Sequence, residues 1–272
     1  MSVTKEQREY YDQNGYLILD SEIPDSVLDA IIDELKDKYT SDAKIDVTYQ
    51  DAGRLQDAWR INENVKSLAL SLQILNILEE LYQRKPLAFQ TLNFPVGTEQ
   101  PPHSDTIHFN SIPAGFMCGV WIALEDMDEN NGTLIYYPRS HKLPEAILKD
   151  IGYELETRSN LSPSQFFRRA FRKLGIIKSA PTLKADDAYP LYEKYIGKII
   201  KENNLKPAYA KIKKGQAFIW AANLLHGGSP LKDKNRTRHS QVTHYFFENC
   251  QYYSPLLSNS KDKYWRNPTW IS

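Results

Sequence analysis

Six short stretches constrain this chain most: Leu87 to Phe94, Met117 to Leu124, Thr133 to Tyr137, Ala208 to Ile212, Ala217 to Ala222 and Ser240 to Phe247. Each is rich in β-branched and aromatic residues, and turn residues separate it from the next. Segments of that length and composition read as strands, so a β core is expected from Leu87 onward. Asn130-Asn131-Gly132 stands between the second and third stretches. An Asn-Gly pair tolerates the positive φ angles of a tight turn, and a hairpin is expected there.

Helical patterns flank these strands. Thr4 followed by Gln7 forms a capping-box pattern, and Gly15 closes a short helix before the apolar strand Tyr16-Leu17-Ile18-Leu19. Pro24-Asp25 opens a second helix, in which Leu28, Ile31, Ile32 and Leu35 recur at helical spacing. A further helix is expected from about Val65 to Tyr82, stopped by Pro86. Between about 143 and 204 the strand pattern gives way to helical material, as in Ser164 to Leu174 and Leu191 to Glu202. We read it as an insertion in one domain covering 1–272, because no repeat or low-complexity linker divides the chain. The expected fold class is mainly β with flanking α.

With 272 residues, 41% of them hydrophobic, the chain can bury a sizeable core. Its 34 Lys+Arg balance 34 Asp+Glu, so no global field gathers nucleic acid or an anionic membrane, and an anionic partner must be caught locally. Only Cys118 and Cys250 are present, both read as core thiols. The opening MSVTKEQREYYDQNG has neither the basic start nor the apolar stretch of a secretory signal. A cytoplasmic setting is expected. Apolar runs such as Ser67 to Leu75 fall well below the roughly 20 residues that span a bilayer, so no membrane insertion is expected.

The chemistry concentrates in few residues. His103 and Asp105 are one residue apart, so on extended chain both side chains project from one face and can meet one ion. His226 follows the apolar strand Ala217-Phe218-Ile219-Trp220 and precedes Gly227-Gly228, where the chain can turn sharply. Two imidazoles and a carboxylate occupy one face of an octahedral metal and leave three positions open, the arrangement of non-haem iron(II). Arg238 and Ser240 form an R-x-S pair that suits a dicarboxylate, because the guanidinium fork binds a carboxylate bidentately. His108, His141, His239 and His244 lack a matching carboxylate and are read as packing or hydrogen-bonding residues. Asn93 and Gln90 can hydrogen-bond a cosubstrate or substrate from a barrel interior, or serve a sheet edge. In 166–174, aromatic residues alternate with Arg168, Arg169, Arg172 and Lys173. That segment is either a solvated helix face or a lid admitting an anionic or carrier-linked substrate.

These motifs in this order resemble the phytanoyl-CoA dioxygenase family of iron(II)/2-oxoglutarate oxygenases. The resemblance is carried by His103-Ser104-Asp105, Trp121, Asn131-Gly132-Thr133-Leu134, Pro138-Arg139-Ser140-His141, Leu225-His226-Gly227-Gly228 and Arg238-His239-Ser240. It implies a double-stranded β-helix (jelly-roll, cupin-like) core and iron held by His103, Asp105 and His226. It further implies 2-oxoglutarate anchored by Arg238 and Ser240, Trp121 lining the cosubstrate pocket, and O2 as oxidant. The implied reaction is hydroxylation of a small-molecule or thioester-linked substrate with release of succinate and CO2. Desaturation, cyclisation and epimerisation start from the same cofactor chemistry. A metal- or ligand-binding β-barrel without turnover, and a zinc hydrolase or isomerase, are rivals from other classes. Arg139 stands where the family often has Gly. Asp105 retains the carboxylate that halogenases on this scaffold replace, which points away from halogenation.

Overall fold

In the computed structural model, residues 2–40, 45–51, 53–146, 154–155, 182–183, 185–259 and 262–272 are described. Helix α1 (Lys5–Asn14) starts at a reciprocal capping box between Thr4 and Gln7 and ends at Gly15, whose φ of 82° completes a left-handed cap. Strand β1 (Tyr16–Asp20) and helix α2 (Asp25–Leu35) follow. The short strands β2 (Tyr49–Asp51) and β3 (Arg54–Gln56) lead to helices α3 (Glu63–Ala69) and α4 (Leu72–Tyr82).

The single helix expected from Val65 to Tyr82 is thus two helices, broken at Leu70 and Ser71. The break shifts the helical phase. A continuous helix burying Val65, Leu68 and Ala69 would turn Leu72 inward on the next turn. Instead Leu72 is 75% exposed, while Ile74, Ile77 and Leu78 are fully buried.

The remaining strands are β4 (Pro86–Phe94), β5 (Asn110–Ile112), β6 (Met117–Ala123), β7 (Leu134–Tyr136), β8 (Glu154–Leu155), β9 (Thr182–Leu183), β10 (Ala208–Tyr209), β11 (Gln216–Ala221), β12 (His226–Gly228), β13 (Ser240–Phe247), β14 (Gln251–Ser254) and β15 (Tyr264–Trp265). Helix α5 (Ala185–Glu202) lies between β9 and β10. A seven-stranded antiparallel sheet runs β1-β11-β6-β13-β4-β3-β2, and a three-stranded sheet runs β10-β7-β12.

Alternation along the central strands separates two cores. Val120 and Ile122 of β6, Ala217 and Ile219 of β11, and Tyr245 and Phe247 of β13 pack on one face with Leu28 and Ile31 of α2, Val65 and Leu68 of α3, and Ile74 and Ile77 of α4. The opposite face carries Trp121, Phe218, Trp220 and Val242, which meet Leu134 and Tyr136 of the smaller sheet. These strands are buried on both faces and therefore appear in sequence as continuous apolar runs.

Asn131-Gly132 does turn the chain, with Gly132 at φ 72°, but no hairpin forms. β6 pairs with β11 and β13, whereas β7 pairs with β10 and β12, so the turn carries the chain from one sheet to the other. Cys118 is a core thiol as expected, but Cys250 is only half-buried and contacts Nη1 of Arg84 at 3.1 Å. Within the 143–204 stretch, α5 buries Ala188, Tyr192 and Ile196 against Ile107, Tyr137 and Leu225. It therefore packs beside the turns that carry Asp105 and His226. The basic segment 166–174 lies outside the described residues. Among the described residues, no helix is long and apolar enough to cross a membrane.

Candidate active site

Main-chain pairing brings the two histidines together. His103 and His226 form an antiparallel bridge, exchanging N–H···O bonds of 2.8 and 3.0 Å, and their rings stand 4.6 Å apart. Asp105 then opens a single 3-10 turn (Asp105–Ile107), which Ser104 caps by accepting from Thr106 N–H. Nε2 of each histidine lies 3.8 Å from Oδ1 of Asp105. The donor atoms of all three residues lie within 4.8 Å of one another, the one such trio among the described residues.

The surroundings suit these side chains to holding a metal ion. Nδ1 of His103 bonds Pro101 O and Nδ1 of His226 bonds Leu224 O, both at 3.0 Å, so each Nδ1 carries the proton and each Nε2 presents its lone pair. Burial, reinforced by the neighbouring His226, pushes the His103 pKa down to about 3, so its ring is neutral. Burial works against ionisation of Asp105, but His226, His244, His103 and a hydrogen bond from Trp220 outweigh it and hold the carboxyl below its ordinary range.

That last contact fixes which oxygen is available. Nε1 of Trp220 donates to Oδ2 of Asp105 at 2.8 Å, leaving Oδ1 facing the histidines. Gly119 makes room for it: paired with Trp220 across β6 and β11, it lies against the indole, and a Cβ there would overlap the six-membered ring. On the other side of Gly119, His244 bonds Gln90 Oε1 through Nδ1 at 2.9 Å and places Nε2 3.8 Å from Asp105 Oδ2.

Arg238 lies two residues before β13 and is 4% exposed. Its guanidinium sits near Phe94 and Trp121, 5.6 and 5.4 Å from their ring centroids. It donates to Gly132 O at 3.2 Å and Val96 O at 3.4 Å, while Nε has no partner. Among the described residues no carboxylate forms an ion pair with it, and burial lowers its pKa to about 10. A buried cation with no carboxylate in contact among the described residues is expensive, so the site suits an anion.

A profile of the family described as "Phytanoyl-CoA dioxygenase (PhyH)" matches residues 11–240. The chain belongs to this family. Among curated relatives, phytanoyl-CoA dioxygenase domain-containing protein 1 of Danio rerio is 34% identical over 80 residues, covering 28% of each chain. Peroxisomal phytanoyl-CoA dioxygenase of Homo sapiens is 25% identical over 163 residues, covering 52% of this chain and 48% of the human one. The chain therefore spans less than half the length of these two relatives. Similar solved structures include the non-haem α-ketoglutarate-dependent epimerase SnoN from nogalamycin biosynthesis, with a TM-score of 0.62 at 15% identity, covering 97% of this chain and 90% of that one. EctD from S. alaskensis has a TM-score of 0.61 at 12% identity, covering 90% of this chain and 77% of that one. These likenesses place the fold among cupin-like, mainly β proteins.

In this family member, Ser240 and Trp121 face the interior between the sheets with Ala123 and Val242. Ser240 Oγ is buried, 3.5 Å from Arg238 O. Asn93 does not join them. It is opposite Leu55 and Gln241, on the helix-packed face, and donates to Gln241 Oε1 at 3.2 Å. Gln90 does point inward, onto His244. The Pro138-Arg139-Ser140-His141 turn forms without glycine, Arg139 itself adopting φ 69°. His108, His141, His239 and His244 stay outside the metal-ligand trio. Trp220 and His244 were missed as site residues: an indole on an apolar strand reads as core, and the Asp105 it serves is 115 positions away.

Proposed function

We propose that this chain is an iron(II)- and 2-oxoglutarate-dependent oxygenase. It hydroxylates an unactivated C–H bond of a small-molecule or thioester-linked substrate. Arg238 carries the reading: a buried guanidinium, lacking an acid partner among the described residues, shares the inter-sheet interior with a two-histidine, one-carboxylate trio. Simple metal storage needs no such anchor, and the donor set suits non-haem iron. We read the facing sheets as a double-stranded β-helix and residues 1–272 as one domain; the central seven-stranded sheet contributes to both cores, which supports this.

His103, Asp105 and His226 would hold iron(II), and Arg238 with Ser240 would hold the far carboxylate of 2-oxoglutarate beside Trp121 and Phe94. When bound, iron with 2-oxoglutarate and O2 supplies the oxidant, and the cosubstrate leaves as succinate and CO2. The protein residues position and exclude. Trp220 restrains Asp105 to one free oxygen, and the Pro101 and Leu224 carbonyls fix the orientation of both imidazoles. The aromatic walls keep water away from the reacting C–H bond. Retention of Asp105 argues against halogenation.

Desaturation, cyclisation and epimerisation start from the same hydrogen abstraction, and product analysis separates them. Zinc, which the same three ligands also suit, separates by metal dependence. A cytoplasmic setting belongs to this proposal; the free thiols of Cys118 and Cys250 suit a reducing compartment. The test is anaerobic addition of iron(II) and then 2-oxoglutarate to metal-free protein, followed by succinate assay in air. A visible charge-transfer band with slow succinate release is expected, and Asp105→Ala should abolish both. Folded wild-type protein giving neither would sink the reading.

A further inference from the structure

Arg266 is a second arginine with which, among the described residues, no carboxylate forms an ion pair. It directly follows β15, and its N–H bonds Tyr252 O at 2.8 Å, continuing the pairing of β15 with β14. Since β14 also pairs with β5, the same small sheet places Arg266 beside Phe109, the residue immediately before β5. Its guanidinium lies over the Phe109 ring, 4.6 Å from the centroid. Phe109 in turn packs on His244, with ring centroids 5.4 Å apart, and Nε2 of His244 is 3.8 Å from the metal carboxylate Asp105. Phe109, His244 and Asp105 therefore stand in line between Arg266 and the proposed iron.

The electrostatics agree with that placement. The Arg266 charge opposes protonation of both His108 and His244, which flank Phe109. Its own environment is partly desolvated, and burial lowers its pKa. Among the described residues no carboxylate pairs with it and no acceptor takes its guanidinium protons. Stacking on Phe109 is a weak contact at a partly exposed site. Hydrogen bonds to a charged partner would each contribute more. Arg238, more deeply buried where the cosubstrate anchor is proposed, likewise has no carboxylate ion pair among the described residues.

We propose that Arg266 anchors an oxyanion of the substrate, a carboxylate or a phosphate monoester, on the side of the metal centre formed by Phe109, His108 and His244. This deepens the oxygenase reading by assigning it a substrate class. The acidic group docks at Arg266, the body of the substrate lies along the aromatic wall, and the C–H bond to be oxidised is carried toward Asp105 and the histidines.

The test uses full-length protein loaded anaerobically with iron(II) and saturating 2-oxoglutarate, so that Arg238 is already occupied. Phenylacetate, phenyl phosphate and neutral phenylacetamide are titrated as probes by ligand-observed NMR. Cobalt(II) in place of iron gives paramagnetic relaxation that reports closeness to the metal. At least one charged probe is expected to bind tenfold or more tightly than phenylacetamide, with its ring protons relaxed by cobalt. Whether phenylacetate or phenyl phosphate shows the preference distinguishes a carboxylate from a phosphate substrate. Arg266→Gln should remove the preference, and Arg266→Lys should retain part of it, with the iron–2-oxoglutarate band reporting that each variant has folded. Equal binding of charged and neutral probes, binding of none, preference surviving in Arg266→Gln, or bound probe without relaxation would each overturn the assignment. Absence of the charge-transfer band in wild-type protein is a separate result: it removes the oxygenase reading, while the cobalt experiment still decides whether Arg266 is an anion anchor.

Discussion

Trp220→Phe removes the indole N–H and keeps an aromatic ring in the same layer. In the wild-type protein that N–H donates to Asp105 Oδ2 at 2.8 Å inside a buried site. A hydrogen bond to a charged group contributes about 1.5–3 kcal/mol, and about 1.4 kcal/mol is a factor of ten in affinity. Loss of an outer-shell partner of a metal ligand typically weakens metal binding 10- to 100-fold, which agrees with that range. We therefore expect the iron(II) dissociation constant to rise about 10- to 100-fold in anaerobic titration. A second effect has its own signature. Once released, Oδ2 would be free to compete with the cosubstrate for the metal that His103, Asp105 and His226 would hold. The charge-transfer band with 2-oxoglutarate should then shift or weaken even at saturating iron. Gly119→Ala should reproduce both effects from the neighbouring strand, because its Cβ overlaps the indole. A folded Trp220→Phe protein with iron affinity within twofold of wild type and an unchanged band would refute the assigned role.

Arg238→Ala should raise the 2-oxoglutarate KM about 10- to 100-fold, from the loss of charge-assisted bonds, measured by succinate release across cosubstrate concentrations. Acid should destabilise the metal-free protein: burial lowers the pKa of His103 to about 3 and of His108 to about 4. Below the ordinary value of 6.5 the unfolded chain binds more protons than the folded one, so each group erodes stability by about 1.4 kcal/mol per pH unit down to its folded pKa. Urea midpoints should therefore fall between pH 6.5 and 4.5, and a flat profile would contradict the burial of these rings. Leu28→Ala, in the helix-packed core at 0% exposure, should lower the unfolding free energy by about 2–5 kcal/mol in the same assay, with the iron–2-oxoglutarate band retained.

The strands and the trio were legible in sequence because both rest on local rules: short apolar runs bounded by turn residues, and two ligands one residue apart. The reading of Asn93 failed on strand parity. Gln90 and Asn93 are an odd number of positions apart on β4, so they face opposite sides, and only Gln90 looks inward. The hairpin reading failed because a turn's sequence fixes its backbone angles but not the partners of the strands it joins. The helix break at Leu70 and Ser71 depends on which face the sheet offers α4, which periodicity within the segment does not encode. Trp220, His244 and Arg266 acquire meaning through contacts with Asp105 and Phe109 from distant strands, so their types alone suggested only core or surface.

The bridge between His103 and His226 sets how metal uptake relates to folding. Two of the three proposed ligands are tied to each other by main-chain bonds, and their rings to the Pro101 and Leu224 carbonyls, through protein contacts alone. The ordering of the chelate is thus completed when the sheet closes, and little conformational entropy remains to be lost on coordination. This is the reverse of a zinc finger, where coordination and folding are one event. Held by these residues, iron would be an exchangeable guest in a finished frame, and the residues around it could vary toward new substrates without reopening the question of whether the chain folds.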